Sequence, residues 1–163
     1  MTVDRPVNVG VEPYISDIIT RSDAREKGPM VAAIRSERGA SRRLLRTALE
    51  GQGLRLLVSV PLLIEYEAVM TRPEHLTAAR LTADDVGVLL DALAAVAERV
   101  ELAFLWRPML PDADDDMVLE TAINGRADGI VTFNRRDFER AGRRFGMVVL
   151  SPGEAVGRLQ RIQ

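Results

Sequence analysis

The sequence predicts an α/β fold in which a central parallel sheet carries helices on both faces. From residue 40 onward, amphipathic helical segments alternate with short apolar strands, and this alternation is typical of parallel sheets. The chain has 163 residues, of which 47% are hydrophobic and 28% are charged, enough for one domain with a substantial core. We therefore expect one domain over residues 1–163, with residues 1–29 as an atypical N-terminal segment.

Periodicity and start and stop signals predict the elements in order. Up to residue 100, the chain is expected to contain a helix at 41–51 that ends at Gly51, a strand at 54–59, a helix at 59–72 capped by Ser59, and a helix at 82–100 with a capping box of Thr82 and Asp85. After residue 100, it is expected to contain a helix at 115–125, a strand at 128–133, a short helical turn at 135–142 and a strand at 146–151. A final helix is expected to begin with a capping box of Ser151 and Glu154. His75 falls between two of these helices, and we expect it in a surface loop.

The central strand is harder to assign, because residues 1–29 do not follow the pattern. A sheet without its central strand would leave backbone groups unpaired, a large cost against a total stability of about 5 to 15 kcal/mol. The only apolar candidate upstream is Tyr14 to Thr20, and we expect this segment to fill the central position beside the strand at 128–133. Residues 21–29 would then loop back to a helix that begins near Met30.

Composition excludes several classes of site. The chain contains no cysteine and one histidine, which excludes disulfides, thiolate zinc sites, cysteine nucleophiles and sites built from several histidines. A net charge of −2 gives no overall basic field toward nucleic acid, although arginines can cluster locally. The N-terminus lacks the layout of a signal peptide and no apolar run approaches the length of a membrane span, so we expect a cytoplasmic protein.

Four aspartates, the first of them Asp112, lie within residues 111–116, ahead of a predicted helix. One acid suffices to cap a helix and to complement its dipole. Four carboxylates repel one another unless a cation screens them, and Mg²⁺ prefers carboxylate oxygens. A solvated acidic surface and a metal site are both consistent with this segment alone.

Further acids fall where parallel strands end, which is where ligands bind in open α/β sheets. Asp115 and Asp116 begin one helix, and Asp137 follows the strand at 128–133. Glu65 lies early in the helix after the strand at 54–59 and interrupts an apolar run. A solvated helix acid is the alternative interpretation of Glu65.

Four segments in this order, RSERGASRRLL, LLIEYEAVM, DADDDMVLETAINGRADGIVTFNRRDF and VVLSPGEAV, resemble PIN-domain toxins of toxin–antitoxin pairs, the VapC-like ribonucleases. The resemblance covers the chain from about Met30 to the C-terminus. It implies a three-layer fold and a Mg²⁺- or Mn²⁺-dependent endoribonuclease whose acids lie at the carboxyl edge of the sheet. It also implies a cognate antitoxin that inserts into the acidic groove, and a homodimer, for which the apolar segments 62–70 and 89–100 are candidate surfaces. By this resemblance the catalytic and metal-binding acids are Glu65, Asp115, Asp116 and Asp137.

The chemistry of these residues is consistent with that activity, because carboxylate-held Mg²⁺ can activate water and offset the charge that develops in phosphodiester hydrolysis. Receiver domains and haloacid-dehalogenase phosphatases also cluster aspartates, but they pair them with a lysine late in the chain, whereas the one lysine here is Lys27. A nucleotide-binding domain would need a glycine-rich phosphate loop after a strand, and the sequence has none.

The first family motif is altered. Counted back from residues 31–36, the family's first catalytic aspartate falls at Glu26, which makes Glu26 a candidate metal ligand. Three explanations stay open: Glu26, Asp23 or Asp17 replaces that acid, the domain is a degenerate relative that only binds RNA or an antitoxin, or the encoded N-terminus was altered upstream of Met30.

Polar and basic residues near these acids are candidates for RNA contact, since arginine binds phosphate oxygens in a bidentate manner. Solvent-facing charge is the alternative interpretation of the arginines. The candidates are Arg35, Arg42, Arg135, Arg136 and Asn134.

Overall fold

The computed structural model describes residues 17–20, 29–105 and 109–160. Within these residues the strands are β1 (Asp17–Thr20), β2 (Arg55–Val58), β3 (Glu98–Arg99), β4 (Gly129–Val131) and β5 (Val148–Leu150). The helices are α1 (Pro29–Arg35), α2 (Ala40–Leu49), α3 (Val60–Met70), α4 (Pro73–Ala79), α5 (Ala83–Val96), α6 (Ala113–Asn124), α7 (Arg135–Phe145) and α8 (Pro152–Gln160). The predicted α/β class is confirmed.

The five strands form one parallel sheet in the order β3-β2-β1-β4-β5. β1 is the central strand, and Ile18 pairs with Leu56 of β2 on one side and with Gly129 of β4 on the other. The predicted replacement strand is therefore confirmed over Asp17–Thr20. Residues 14–16 and the expected loop at 21–28 lie outside the described residues.

The helix starts follow the capping signals of the sequence. Ser59 caps α3 by accepting a hydrogen bond of 3.4 Å from the Leu62 N–H, and Thr82 and Asp85 form a reciprocal capping box at α5. The backbone N–H of Thr82 donates to the Asp85 carboxylate and thereby lowers its pKa. Local hydrogen bonding thus accounts for these helix starts.

Three elements differ from the sequence prediction. The helix expected at 82–100 ends at Val96, and the chain then pairs β3 with β2. The turn expected at 135–142 is an 11-residue helix, α7. The segment expected as a loop around His75 is the helix α4, with a proline in its first turn.

The prediction that His75 lies at the surface is wrong. Its side chain is 1% exposed, because α4 packs against α1 and α3. Within the described part of the chain, neither ring nitrogen of His75 has a hydrogen-bond partner.

The apolar core lies between the sheet and the helices that pack on it. It includes the fully buried side chains of Leu57, Leu62, Leu119, Ile130 and Phe138. α6 packs against β1, β2, α3 and α7, and this central position sets where its first turn lies.

Gly125 follows α6, and its backbone passes close to the core. A Cβ atom at this position would lie 2.7 Å from the Val100 Cγ2 methyl and 2.9 Å from the Leu57 Cδ1 methyl. A side chain there would collide with both methyls, so glycine permits the close approach of α6 to the sheet. In the described residues, we find no helix with the length and apolar character that a membrane crossing requires.

Candidate functional site

The direction in which the chain adds strands to the sheet reverses between β1 and β4. Chain order runs outward from β1 through β2 to β3 on one side and from β4 to β5 on the other. Ligands of open α/β sheets bind where the strand order reverses in this way. This position lies at the last residues of β1 and β4, Thr20 and Val131, which pair with each other.

Three helix starts lie along this edge. α3 and α7 directly follow the carboxyl ends of β2 and β4, and α6 precedes β4, so that its N-terminus lies at the same edge. Glu65, Asp115, Asp116 and Asp137 belong to these helices. The topology thus places these helices at one edge of the sheet, and their acids as a shared site stay a prediction.

Asp115 lies in the first turn of α6 and is 1% exposed. Its backbone N–H donates a hydrogen bond of 3.1 Å to the carbonyl oxygen of Asp112, which fixes the start of the helix. Burial of a carboxylate is costly unless hydrogen bonds or an opposite charge compensate it. The positive end of the α6 dipole supplies part of that compensation.

Asp116 is also 1% exposed, but its contacts differ. Its Oδ1 atom accepts hydrogen bonds from the backbone N–H of Met109, at 3.1 Å, and of Leu110, at 3.0 Å. The carboxylate therefore holds the segment that leads into α6. This geometry favours a positioning role for Asp116, and its predicted role as a metal ligand stays a prediction.

Asp137 lies half-buried in the first turn of α7. The side-chain amide of Asn134 donates a short hydrogen bond to its Oδ2 atom, and the Asn134 N–H donates to the Thr132 hydroxyl oxygen at 3.0 Å. Asn134, predicted to contact RNA, is thus positioned to orient the Asp137 carboxylate.

Glu65 is half-buried in the second turn of α3. α3 is tied to α6 by a buried hydroxyl pair, Ser59 Oγ and Thr121 Oγ1, at 2.7 Å. The Thr121 hydroxyl donates to the Met117 carbonyl at 2.8 Å, so the Ser59 hydroxyl is the donor of the pair. This bond fixes the helix that carries Glu65 against the helix that carries Asp115.

Sequence reasoning missed Glu120, which is a fully buried acid on α6 at 0% exposure. It follows Asp116 by one helical turn and interrupts the apolar run of residues 117–123. The same signal singled out Glu65, so the sequence contained the information to find Glu120.

The donor set fits a hard divalent cation. It consists of carboxylates, and Mg²⁺ takes one or two protein carboxylates together with water. Among the described residues, no three Asp, Glu or His side chains lie close enough to share a metal ion. Glu26 and Asp23, two candidates for the first family acid, lie outside the described residues, and the third, Asp17, is described by its backbone alone.

The predicted RNA-contacting arginines divide into different environments. Arg35 and Arg42 are exposed on α1 and α2, and an Arg42 Nη1 donates to the Ala33 carbonyl at 3.4 Å. Arg135 pairs with Glu154 at 2.8 Å and with Glu139 at 3.7 Å. Arg136 instead lines a groove beside Asp137.

The fold is an α/β domain whose topology brings acid-bearing helices to the carboxyl edge of the parallel sheet. A family described as PIN domain matches residues 30–136. The chain belongs to the PIN-domain family. PIN domains are generally nucleases, and PIN nucleases typically use divalent metal ions. A search of the curated proteins finds no match to this chain.

Proposed function

We propose that this protein is a divalent-metal-dependent endoribonuclease that acts as the toxin of a toxin–antitoxin pair in the cytoplasm. The observation that carries the proposal is Asp115, a carboxylate buried at a helix N-terminus on the carboxyl edge of the sheet, in a chain of the PIN-domain family. The proposal includes one domain over residues 1–163 and the three-layer arrangement that the family implies.

In this proposal Asp115 and Asp137 hold a Mg²⁺ or Mn²⁺ ion, with Glu65 as a further candidate ligand. The bound ion supplies Lewis-acid activation of water and charge stabilisation at the scissile phosphate. Asn134 orients Asp137 through its side-chain amide, and Asp116 positions the neighbouring backbone. The first family acid is Glu26, Asp23 or Asp17.

The test is cleavage of single-stranded RNA with Mn²⁺ present. We expect cleavage that EDTA abolishes and that Asp115→Asn reduces by about 100-fold, since one ligand of a shared site is neutralised. Asp84→Asn is the matched control, because Asp84 also lies in the first turn of a helix but is exposed. Intact RNA across a panel of substrates would count against the nuclease.

A non-catalytic PIN domain that only binds RNA or an antitoxin is the second candidate function. The observation that favours it is that the described residues do not assemble three acids in one place. Isothermal titration calorimetry with Mn²⁺ separates the two, because only the nuclease requires the metal. RNA binding without Mn²⁺ affinity would support the non-catalytic domain.

The partners in this proposal are the RNA substrate, a cognate antitoxin and a second copy of the chain. An antitoxin arginine that reaches Asp115 and Asp137 would neutralise them as a metal does, so antitoxin binding should weaken as Mn²⁺ is raised. For the homodimer, Val60 and Ile64 supply an exposed apolar strip on α3, with Ile64 61% exposed. Loss of the dimer in Ile64→Lys, measured by light scattering, would support that surface.

A further inference from the structure

A groove of about 440 Å³ runs beside Asp137, between α7 and the segment Met109–Pro111. Three arginines of α7 line it: Arg136, Arg140 and Arg144. They are spaced four residues apart and all three are exposed. On an α-helix this spacing places the side chains along one side, about 6 Å apart per step.

The three arginines are not held by acids of the segments that the structure describes. Within the described residues, no carboxylate oxygen lies within 4.0 Å of their guanidinium nitrogens. The neighbouring Arg135, by contrast, is held by Glu154 on α8. Arg144 stacks over the Phe145 ring at 5.5 Å, a contact that restrains its guanidinium at the end of the row.

The geometry points to the groove of Arg136, Arg140 and Arg144 as the track along which the phosphodiester backbone of single-stranded RNA leaves the acidic site. The row is linear and regularly charged, which suits a polyanion with one charge per repeating unit. Arginine binds phosphate oxygens bidentately. Asp137 lines the same groove as the three arginines, so a strand bound in the groove lies beside one of the proposed catalytic acids.

The opposite wall of the groove favours nucleic acid over an acidic peptide. Met109 is half-buried and Pro111 is exposed, so this wall offers apolar surface that a base can contact, above the buried Leu110. Asp116 fixes this wall through the Met109 and Leu110 N–H groups, so the groove is preformed. This inference rests on the proposed function, because it takes RNA as the substrate of the same site.

Binding without cleavage tests the track. A fluorescein-labelled 12-nucleotide oligouridylate is titrated in EDTA by fluorescence anisotropy, with Mn²⁺-dependent cleavage measured separately. Each phosphate contact to single-stranded nucleic acid contributes about 0.7 to the slope of log K against log salt, which corresponds to about fivefold in affinity at 0.1 M salt. We therefore expect about fivefold weaker binding for Arg140→Gln. The triple variant Arg136→Gln/Arg140→Gln/Arg144→Gln should bind about 100-fold more weakly, with a slope lower by about 2.

Two control variants remove arginine charges outside the groove, equal in number to those removed inside it. Arg143→Gln alters an exposed arginine of the same helix that does not line the groove. The double variant Arg140→Gln/Arg144→Gln should bind RNA about 25-fold more weakly than the wild type, and Arg99→Gln/Arg143→Gln, with Arg99 exposed on β3, is its control for the loss of two charges. Arg140→Lys keeps the charge and should retain the salt slope while it loses part of the affinity.

Three outcomes overturn the track. The first is equal loss of RNA affinity in Arg140→Gln and Arg143→Gln, which indicates a nonspecific charge effect. The second is unchanged RNA binding by the triple variant; if Mn²⁺-dependent cleavage persists, the nuclease stands without this track. The third is a triple variant that binds RNA as the wild type does but no longer binds a labelled deca-glutamate peptide that the wild type binds. This result assigns the groove to an acidic protein partner.

Discussion

Replacing Asp116 by alanine or by asparagine separates its two proposed roles. The Asp116 Oδ1 atom accepts hydrogen bonds from the backbone N–H groups of Met109 and Leu110, and the carboxylate is buried. Alanine removes the acceptor and leaves both donors without it. Asparagine keeps an oxygen acceptor in the same place but removes the charge.

The expected magnitudes follow from these two bonds. Hydrogen bonds to a charged group contribute about 1.5–3 kcal/mol each, so Asp116→Ala should cost about 3 to 6 kcal/mol. Neutral hydrogen bonds contribute about 0.5–1.5 kcal/mol each, so Asp116→Asn should cost about half as much. For a chain of this size, 1 kcal/mol corresponds to about 2–4 °C in Tm, so the alanine variant should melt roughly 10 °C or more below the wild type.

Thermal unfolding followed by circular dichroism measures the stability difference, and calorimetry with Mn²⁺ measures the metal site. If Asp116 positions the loop, Asp116→Asn keeps Mn²⁺ affinity and Asp115→Asn loses it. Loss of Mn²⁺ affinity in a stable Asp116→Asn variant would instead make Asp116 a ligand. Equal Tm values for the alanine and asparagine variants would refute the hydrogen-bond account.

Three further predictions concern stability. Gly125→Ala should cost about 1–3 kcal/mol in urea unfolding, because the new methyl meets the Val100 methyl at 2.7 Å; an unchanged midpoint would contradict this packing. The Ser151 N–H donates to Glu154 and lowers its pKa from 4.5, so the ionised carboxylate stabilises α8 above pH 4.5, and that contribution is lost as pH falls through the folded-state pKa. Glu154→Gln should therefore be less stable than the wild type at pH 7, and the two stabilities should converge in acid. A stability difference that does not change with pH would exclude this linkage. His75→Leu should be neutral or stabilising by about 1 kcal/mol, since both ring nitrogens lack partners among the described residues. A urea midpoint below that of the wild type would indicate that van der Waals packing of the imidazole ring outweighs the cost of its unpaired nitrogens.

Local signals allowed most elements to be predicted. Ser59, Thr82 and Ser151 each cap a helix through bonds to residues three positions away, so a short window of sequence contains both partners. The placement of the α6 and α7 starts at one edge of the sheet was predictable for a different reason, because the alternation of strands and helices fixes which helix ends lie at the carboxyl edge.

Other features depend on contacts between distant segments. Arg135 and Arg136 are adjacent in sequence, yet one pairs with Glu154 of α8 and the other lines the groove. Their difference is set by how α7 is rotated against α8, which periodicity does not specify. α4 has seven residues, too few for a periodic pattern to distinguish a helix from a loop.

The position of β1 at the centre of the sheet has a consequence for synthesis on the ribosome. Ile18 pairs with Leu56 and Gly129, and the second of these partners is synthesised more than 100 residues after Ile18. At about 5–20 residues per second, β1 waits on the order of ten seconds before its second edge can pair. Until β4 emerges from the ribosome, the nascent chain therefore carries an unpaired edge of β1 that is open to chaperones and proteases. Pairings this distant along the chain also slow folding, so the complete sheet should form only after the synthesis of β4 and β5.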